Sequence, residues 1–153
     1  WETGYAVDTL ETIVPWADIP RTAEAVINSL HRASEALGER VYVFAHLSHV
    51  YPTGASIYVT VIFRVQPDPD HTLEHWRRMK CAASETIVAH GGTISHQHGV
   101  GTDHAPYLAA EKGPLGIGLL QAAIRHCDPT GILNPGKLVA GVDARTVEGD
   151  APC

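Results

Sequence analysis

The sequence predicts an α+β domain: a ferredoxin-like, split β-α-β-β-α-β antiparallel sheet with both helices on one face and a C-terminal helical extension. Three observations predict it. Apolar residues alternate with a period of two in segments 5–14, 41–50 and 55–65, and recur at helical spacing in the two segments between and after them. The order of these segments, closed by a short extended stretch at 93–98, is that of the split β-α-β sandwich. Two of the strands are joined across Tyr51-Pro52-Thr53-Gly54, a connection short enough to make them a hairpin.

Each element has a local reason. Residues 5–14 carry the β-branched Val7, Thr9, Ile13 and Val14 and stop at Pro15. After a turn at Asp18 and Pro20, Ala23, Val26, Ile27, Leu30 and Leu37 line one helical face that ends at Gly38. Pro67 and Pro69 open a second helix, with Leu73, Trp76, Met79, Ala83 and Ile87 as its expected buried stripe and Gly91-Gly92 as its stop. Residues 105–112 and 115–126 read as two short helices, followed by a Pro/Gly-rich turn around Asn134. The expected organisation is a sheet domain over 1–100, a helical segment over 101–139 and a polar tail over 140–153.

Composition narrows the function classes. At 153 residues the chain is long enough for one cored domain. Its net charge of −6 argues against nucleic acid or an anionic membrane surface as a partner. No apolar run approaches the ~18 residues needed to span a bilayer. Cys81, Cys127 and Cys153 show no paired short spacing, so neither a disulfide framework nor a cysteine zinc site is suggested; a reducing cytoplasm is expected, with Cys153 as the reactive thiol.

Strand parity predicts which face carries chemistry. In 55–65 the odd positions Ile57, Val59, Val61, Phe63 and Val65 are uniformly apolar and should meet the helices. The even positions include Tyr58 and Arg64, and the partner strand places Tyr42, Phe44, His46 and Ser48 on one side. The helix-free face is therefore expected to carry His46, Tyr58 and Arg64. The sharpest local feature is Gly91-Gly92-Thr93-Ile94-Ser95-His96-Gln97-His98-Gly99-Val100-Gly101-Thr102-Asp103-His104. If 93–98 is extended, Ile94, His96 and His98 share one face and Gln97 takes the other. Gly99 and Gly101 then allow a tight turn or a close backbone approach.

Together with Asp128-Pro129-Thr130-Gly131-Ile132-Leu133-Asn134-Pro135-Gly136-Lys137, this segment resembles the C-terminal part of FAD-linked oxidases of the vanillyl-alcohol-oxidase type. Within them it is most similar to the alkyldihydroxyacetonephosphate synthases and their bacterial homologues. Their motif is Ser-His-His-His-Gly-Val-Gly; this chain has Gln97 at the middle position, which keeps hydrogen bonding but removes a titrating group. The resemblance runs from about Tyr5 to Leu138. It implies that FAD is bound mainly by a domain outside this chain, so that the chain, which begins at Trp1, is expected to be an inactive C-terminal fragment when alone.

The resemblance further implies exchange of an acyl for an alkyl group on a dihydroxyacetone phosphate ester through a flavin adduct. Tyr58, His96, His98 and Gln97 would be the catalytic set, and Asn134, Gly99 and Gly101 would lie toward the cofactor, with Lys137 a weaker candidate beside Asn134. Arg64 and His46 are the candidates for holding substrate. Relatives acting on 2-hydroxy acids commonly carry Glu-His-Gly where this chain has Gln97-His98-Gly99, so an FAD-dependent alcohol or 2-hydroxy-acid oxidase or dehydrogenase is the alternative. No metal site is assigned in either reading. A third reading is a stand-alone ligand or zinc module using His96 and His98 joined by His46 or His104. The expected partners are the FAD-binding domain of the same polypeptide and a small or lipid-like substrate, with self-association through the uncovered sheet face.

Overall fold

The computed structural model describes residues 2–139; the expected polar tail and Cys153 lie outside them. They form two compact units, one ending at Gln97 and the other beginning at His98. In the first, strand β1 (Tyr5–Pro15) leads through a single 3-10 turn into helix α1 (Ile19–Glu35). Strands β2 (Val41–Tyr51) and β3 (Gly54–Arg64) form the hairpin, and helix α2 (Pro69–Ala89) follows. Both helices start on a proline in the first turn, where its missing N–H costs nothing. The Asp68 carboxylate also caps α2, accepting the Asp70 N–H at 2.9 Å.

The sheet is antiparallel, in the order β1-β3-β2. The central strand is the most apolar, as a strand flanked on both edges must be: Ala55, Ile57, Val59, Val61 and Phe63 are all buried. Register places Leu10 opposite Val59, Thr12 opposite Ile57 and Val14 opposite Ala55, so these residues share a face. Both helices cover it. His75 of α2 lies edge-on to Phe63 at 5.5 Å and meets Ser34 of α1 at 2.9 Å, and Lys80 of α2 reaches Asp8 of β1 at 3.0 Å. Leu30, Met79 and Ile87 close the core; burying a side chain the size of Leu30, which is fully buried, is worth about 2–3 kcal/mol.

Three expectations need correction. The extended stretch at 93–98 is not a strand. Thr93 and His96 do run beside the free edge of β1: Ile13 donates to the Thr93 hydroxyl (3.1 Å), Thr93 to the Ile13 carbonyl (3.3 Å) and His96 to the Glu11 carbonyl (3.2 Å). Gln97 then takes a left-handed backbone (φ 59), which ends any extended run. Gly92 starts the stretch because nothing larger fits: a Cβ there would stand 2.3 Å from the Thr12 hydroxyl.

The second correction concerns α2. Leu73 is exposed and Trp76 only half-buried, while His75 and Lys80 take inward places beside Met79, Ala83 and Ile87. Trp76 and Lys80 are drawn to one carboxylate oxygen of Asp8, with the indole N–H donating at 2.7 Å. The third concerns the cysteines: Cys127 is free and exposed, but Cys81 is disulfide-bonded, which the spacing does not suggest.

The second unit is helical. A short helix, α3 (Gly101–His104), leads through a 3-10 turn (Ala105–Tyr107) into α4 (Leu108–Cys127). Gly113, at φ 64 and ψ 172, breaks α4 just before Pro114, so the chain makes two helical pieces there, as the sequence predicts. Beyond α4 the Asp128 carboxylate accepts the Ile132 and Leu133 N–H groups at 3.2 and 2.7 Å, closing the turn that leads to Asn134 (φ 50). No helix among the described residues is long and apolar enough to cross a membrane.

Candidate functional site

The helix-free face of the sheet carries a compact polar group built on Glu11, His49 and His96. Glu11 is an odd residue of β1, so the pleat turns it away from the helices, opposite Tyr58 in register. Its side chain is nevertheless only 2% exposed. The stretch carrying Thr93 and His96 closes the free edge of β1 beside it, and His49 covers it from across the sheet.

His49 reaches this face through an irregularity. Pairing between β2 and β3 is regular from Val41 to Leu47 and resumes at Val50 opposite Ala55, so Ser48 and His49 together oppose Ser56. This is a β-bulge, a device that re-aims side chains. In an unbroken register His49 would pair with Ala55 and face the helices. The His49 N–H instead donates to the buried Ser56 hydroxyl at 2.8 Å, satisfying a backbone group taken out of the ladder.

The distances are short and mutually consistent. One oxygen of Glu11, Oε1, lies 3.2 Å from His49 Nδ1 and 3.2 Å from His96 Nδ1. His96 Nε2 meets the Tyr51 hydroxyl at 3.0 Å, and the two rings stand nearly perpendicular. Ser48 Oγ lies 3.0 Å from His49 Nδ1. Burial alone would raise the Glu11 carboxyl, but hydrogen bonds from Ser56 and His49 and the proximity of the His96 imidazole outweigh it and hold it below its ordinary value. Chemically, the group is an ionised carboxylate shared by two imidazoles, one 14% exposed and one 40% exposed. A single ligand atom from each of the three residues lies within 4.8 Å of the others, close enough for them to hold one metal ion.

The residues singled out in the sequence fall in different places. Tyr58 and His46 are on this same face, with rings stacked at 5.1 Å, and the register runs Glu11, Tyr58, His46 across the three strands. The group containing His49 and His96 thus begins on this same rung, at Glu11. Arg64 is on the same face but six residues beyond Tyr58, roughly 20 Å along the strand, and is exposed. Gln97 is exposed at its left-handed turn. His98, Gly99 and Gly101 belong to the second unit, as does Asn134. His104 is buried there, with Nδ1 donating to the carbonyls of Gly99 (3.1 Å) and Val100 (2.9 Å). A Cβ on Gly99 or Gly101 would meet nothing within 4 Å, so their backbone is open to approach.

Sequence reasoning missed Glu11, His49 and Tyr51. A carboxylate inside Leu10-Glu11-Thr12-Ile13-Val14 was a signal, since an acid in a strand of β-branched residues needs a reason. His46 and His49, three apart in one strand, share a face only if a bulge intervenes, and period-two parity has no term for one.

The family model described as FAD linked oxidases, C-terminal domain, matches residues 1–138. The chain is 32% identical to the alkyldihydroxyacetonephosphate synthase of Caenorhabditis elegans over 89% of its length, and 28% identical to the D-2-hydroxyglutarate dehydrogenase of Stutzerimonas stutzeri over 85%. It spans 23% and 29% of those two proteins. A solved alkyldihydroxyacetonephosphate synthase structure shares the fold, with a TM-score of 0.55 at 21% identity over 88% of this chain and 21% of that one.

Proposed function

Since the chain belongs to the family of FAD linked oxidases, C-terminal domain, we propose that it is the substrate-side part of a larger FAD-dependent enzyme whose reaction is of the alkyldihydroxyacetonephosphate synthase kind. That reaction exchanges an acyl for an alkyl group on a dihydroxyacetone phosphate ester. The flavin, when bound, supplies the electron-accepting centre, and this chain supplies position and proton handling. The observation that carries the reading is the helix-free face, where Tyr58, stacked on His46, lies across from Glu11, the carboxylate that holds His96.

On this reading Tyr58 Oη takes and returns the proton of the reacting hydroxyl. A phenol near pKa ~10 is a poor base alone, and the imidazoles of His96 and His98 make the transfer feasible. Gln97 holds substrate by hydrogen bonds without titrating. His46 binds substrate beside Tyr58, and Arg64, at its distance, takes the remote end of a long substrate rather than the reacting group. Asn134, Gly99 and Gly101 face the cofactor held by an FAD-binding domain of the same polypeptide. Exposed Leu115, Leu119, Ile132 and Leu133 in the second unit support burial against that domain in the whole enzyme. The same proposal places the enzyme in the cytoplasm and makes the chain alone inactive and without tight FAD binding. A second reading, an FAD-dependent 2-hydroxy-acid oxidoreductase, is favoured by the likeness to a D-2-hydroxyglutarate dehydrogenase.

The test uses the full-length flavoprotein. Tyr58→Phe should leave flavin content and folding unchanged and lower acyl-for-alkyl exchange by ~10²-fold. Unchanged exchange would remove Tyr58 from the mechanism. Absence of exchange in the unmutated enzyme, with dye reduction by 2-hydroxy acids, would establish the second reading instead.

A further inference from the structure

We propose that Glu11, His49 and His96 form a binding site for a divalent transition-metal ion of the zinc type. The inference needs only residues of the first unit and does not depend on the flavin reading.

Residue type comes first. Two imidazoles and a carboxylate are the ligand set that zinc and its neighbours in the first transition row accept, and three protein ligands leave one position open. Geometry is the second argument. Ligand atoms bound at ~2.0–2.1 Å to one tetrahedral ion stand about 3.3 Å apart. Glu11 Oε1 is 3.2 Å from both Nδ1 atoms.

The third argument is the direction of the His96 ring. Its Nδ1 is buried and close to the carboxylate, yet makes no hydrogen bond. A nitrogen bound to a shared ion points at the ion, off the line joining it to the neighbouring ligand, so proximity without a hydrogen bond is what ligation requires. If His96 Nε2–H donates to the Tyr51 hydroxyl 3.0 Å away, Nδ1 presents a bare lone pair to an anionic oxygen. Two lone pairs facing each other at that distance repel unless a cation sits between them.

The surroundings fit. Tyr51 on His96 Nε2 and Ser56 on Glu11 are the outer contacts that orient metal ligands. His49, 40% exposed, gives the ion a way in. Ser48 Oγ, 3.0 Å from His49 Nδ1, and the more distant Ser56 Oγ, at 3.5 Å, compete for that lone pair, and each hydroxyl turns away by rotating its own bond.

The test uses the chain, stripped by chelator and titrated with Zn²⁺ by calorimetry and with Co²⁺ by visible absorption. One ion per chain should bind below ~1 µM, with the intense d–d bands of a four-coordinate cobalt site. Glu11→Gln and His96→Gln should each weaken binding at least ~10²-fold, and Tyr51→Phe about 10-fold, the usual scale for an outer contact. Circular dichroism identifies variants that do not fold; His49→Gln, on the more exposed ligand, then replaces them in the comparison. No saturable binding below ~100 µM would overturn the proposal. So would stoichiometric binding unchanged in the folded variants, since the chain has ten histidines, or a ring-nitrogen NMR spectrum with Zn²⁺ present in which His96 Nδ1 still carries its proton.

Discussion

Each face of the sheet takes in a carboxylate of β1, Asp8 in part and Glu11 almost wholly, and the two are treated differently. On the helix side Asp8 receives the Trp76 indole and the Lys80 ammonium on one oxygen, and Lys80 also donates to the Thr9 carbonyl. The side-chain partners of Asp8 there are donors set in a helix, and the Thr9 N–H of β1 occupies its other oxygen at 2.8 Å. On the other face Glu11 is shared by two imidazoles, the side chains that most often ligate metal ions. Its supports are a bulge and an irregular stretch rather than a helix. The difference teaches that burial alone does not mark function: what distinguishes the second carboxylate is that its partners are metal-ligating side chains, one of them 40% exposed.

The comparison breaks most visibly if the helix-side pair proves dispensable. Lys80→Met should destabilise the chain by about 2–3 kcal/mol, below the full cost of an orphaned buried charge because Asp8 retains some exposure. Urea unfolding measures it, and a change under 0.5 kcal/mol would mean that the pair is only surface decoration.

A smaller effect comes from His75. Burial lowers its pKa despite the opposing charge of Glu39, so the ring is neutral in the fold, with Nε2 on Ser34. The unfolded chain takes up the proton first, near pH 6.5, so stability is full above that value. It is lost as pH falls from there toward the lowered folded pKa. The slope should approach but not exceed ~1.4 kcal/mol per pH unit, and His75→Gln should flatten it. A slope unchanged in that variant would assign the acid sensitivity to another group.

The smallest effect is expected on the other face. Glu11→Gln should change stability by less than ~1 kcal/mol near neutral pH, because it removes a burial cost together with the hydrogen bonds that offset it. A loss as large as that of Lys80→Met would show the two carboxylates to be equivalent structural groups.

Much of the first unit was legible in the sequence, for reasons that are local. Pro15, Gly38 and the Pro67/Pro69 pair punctuate elements whose apolar periods differ, and Gly113-Pro114 marks the break in α4. What escaped depends on partners distant in sequence. Leu73 belongs to the expected stripe and His75 does not, yet Ser34 and Phe63 beside the imidazole give His75 the inward place. The expected last strand failed because it was judged from alternation alone, whereas Gln97 turns left-handed and Gly92 is pinned to β1. The site was half legible: Tyr58, His46 and His96 share the helix-free face, but Glu11, His49 and Tyr51, which give His96 its setting, became visible only with the register.

The bulge at Ser48 and His49 has a bearing on how the chain behaves in company. Strand β2 is the outer strand of the sheet among the described residues, eleven residues long, with Tyr42, Phe44 and Val50 exposed. A straight, apolar outer strand is a template on which another chain can lengthen the sheet, and proteins blunt such templates with a local irregularity. By interrupting the ladder after Leu47, the extra residue leaves only the first part of β2 regular enough to accept a foreign strand. The same insertion that aims an imidazole at Glu11 thus shortens the sticky edge, so straightening β2 would trade a site for an aggregation hazard.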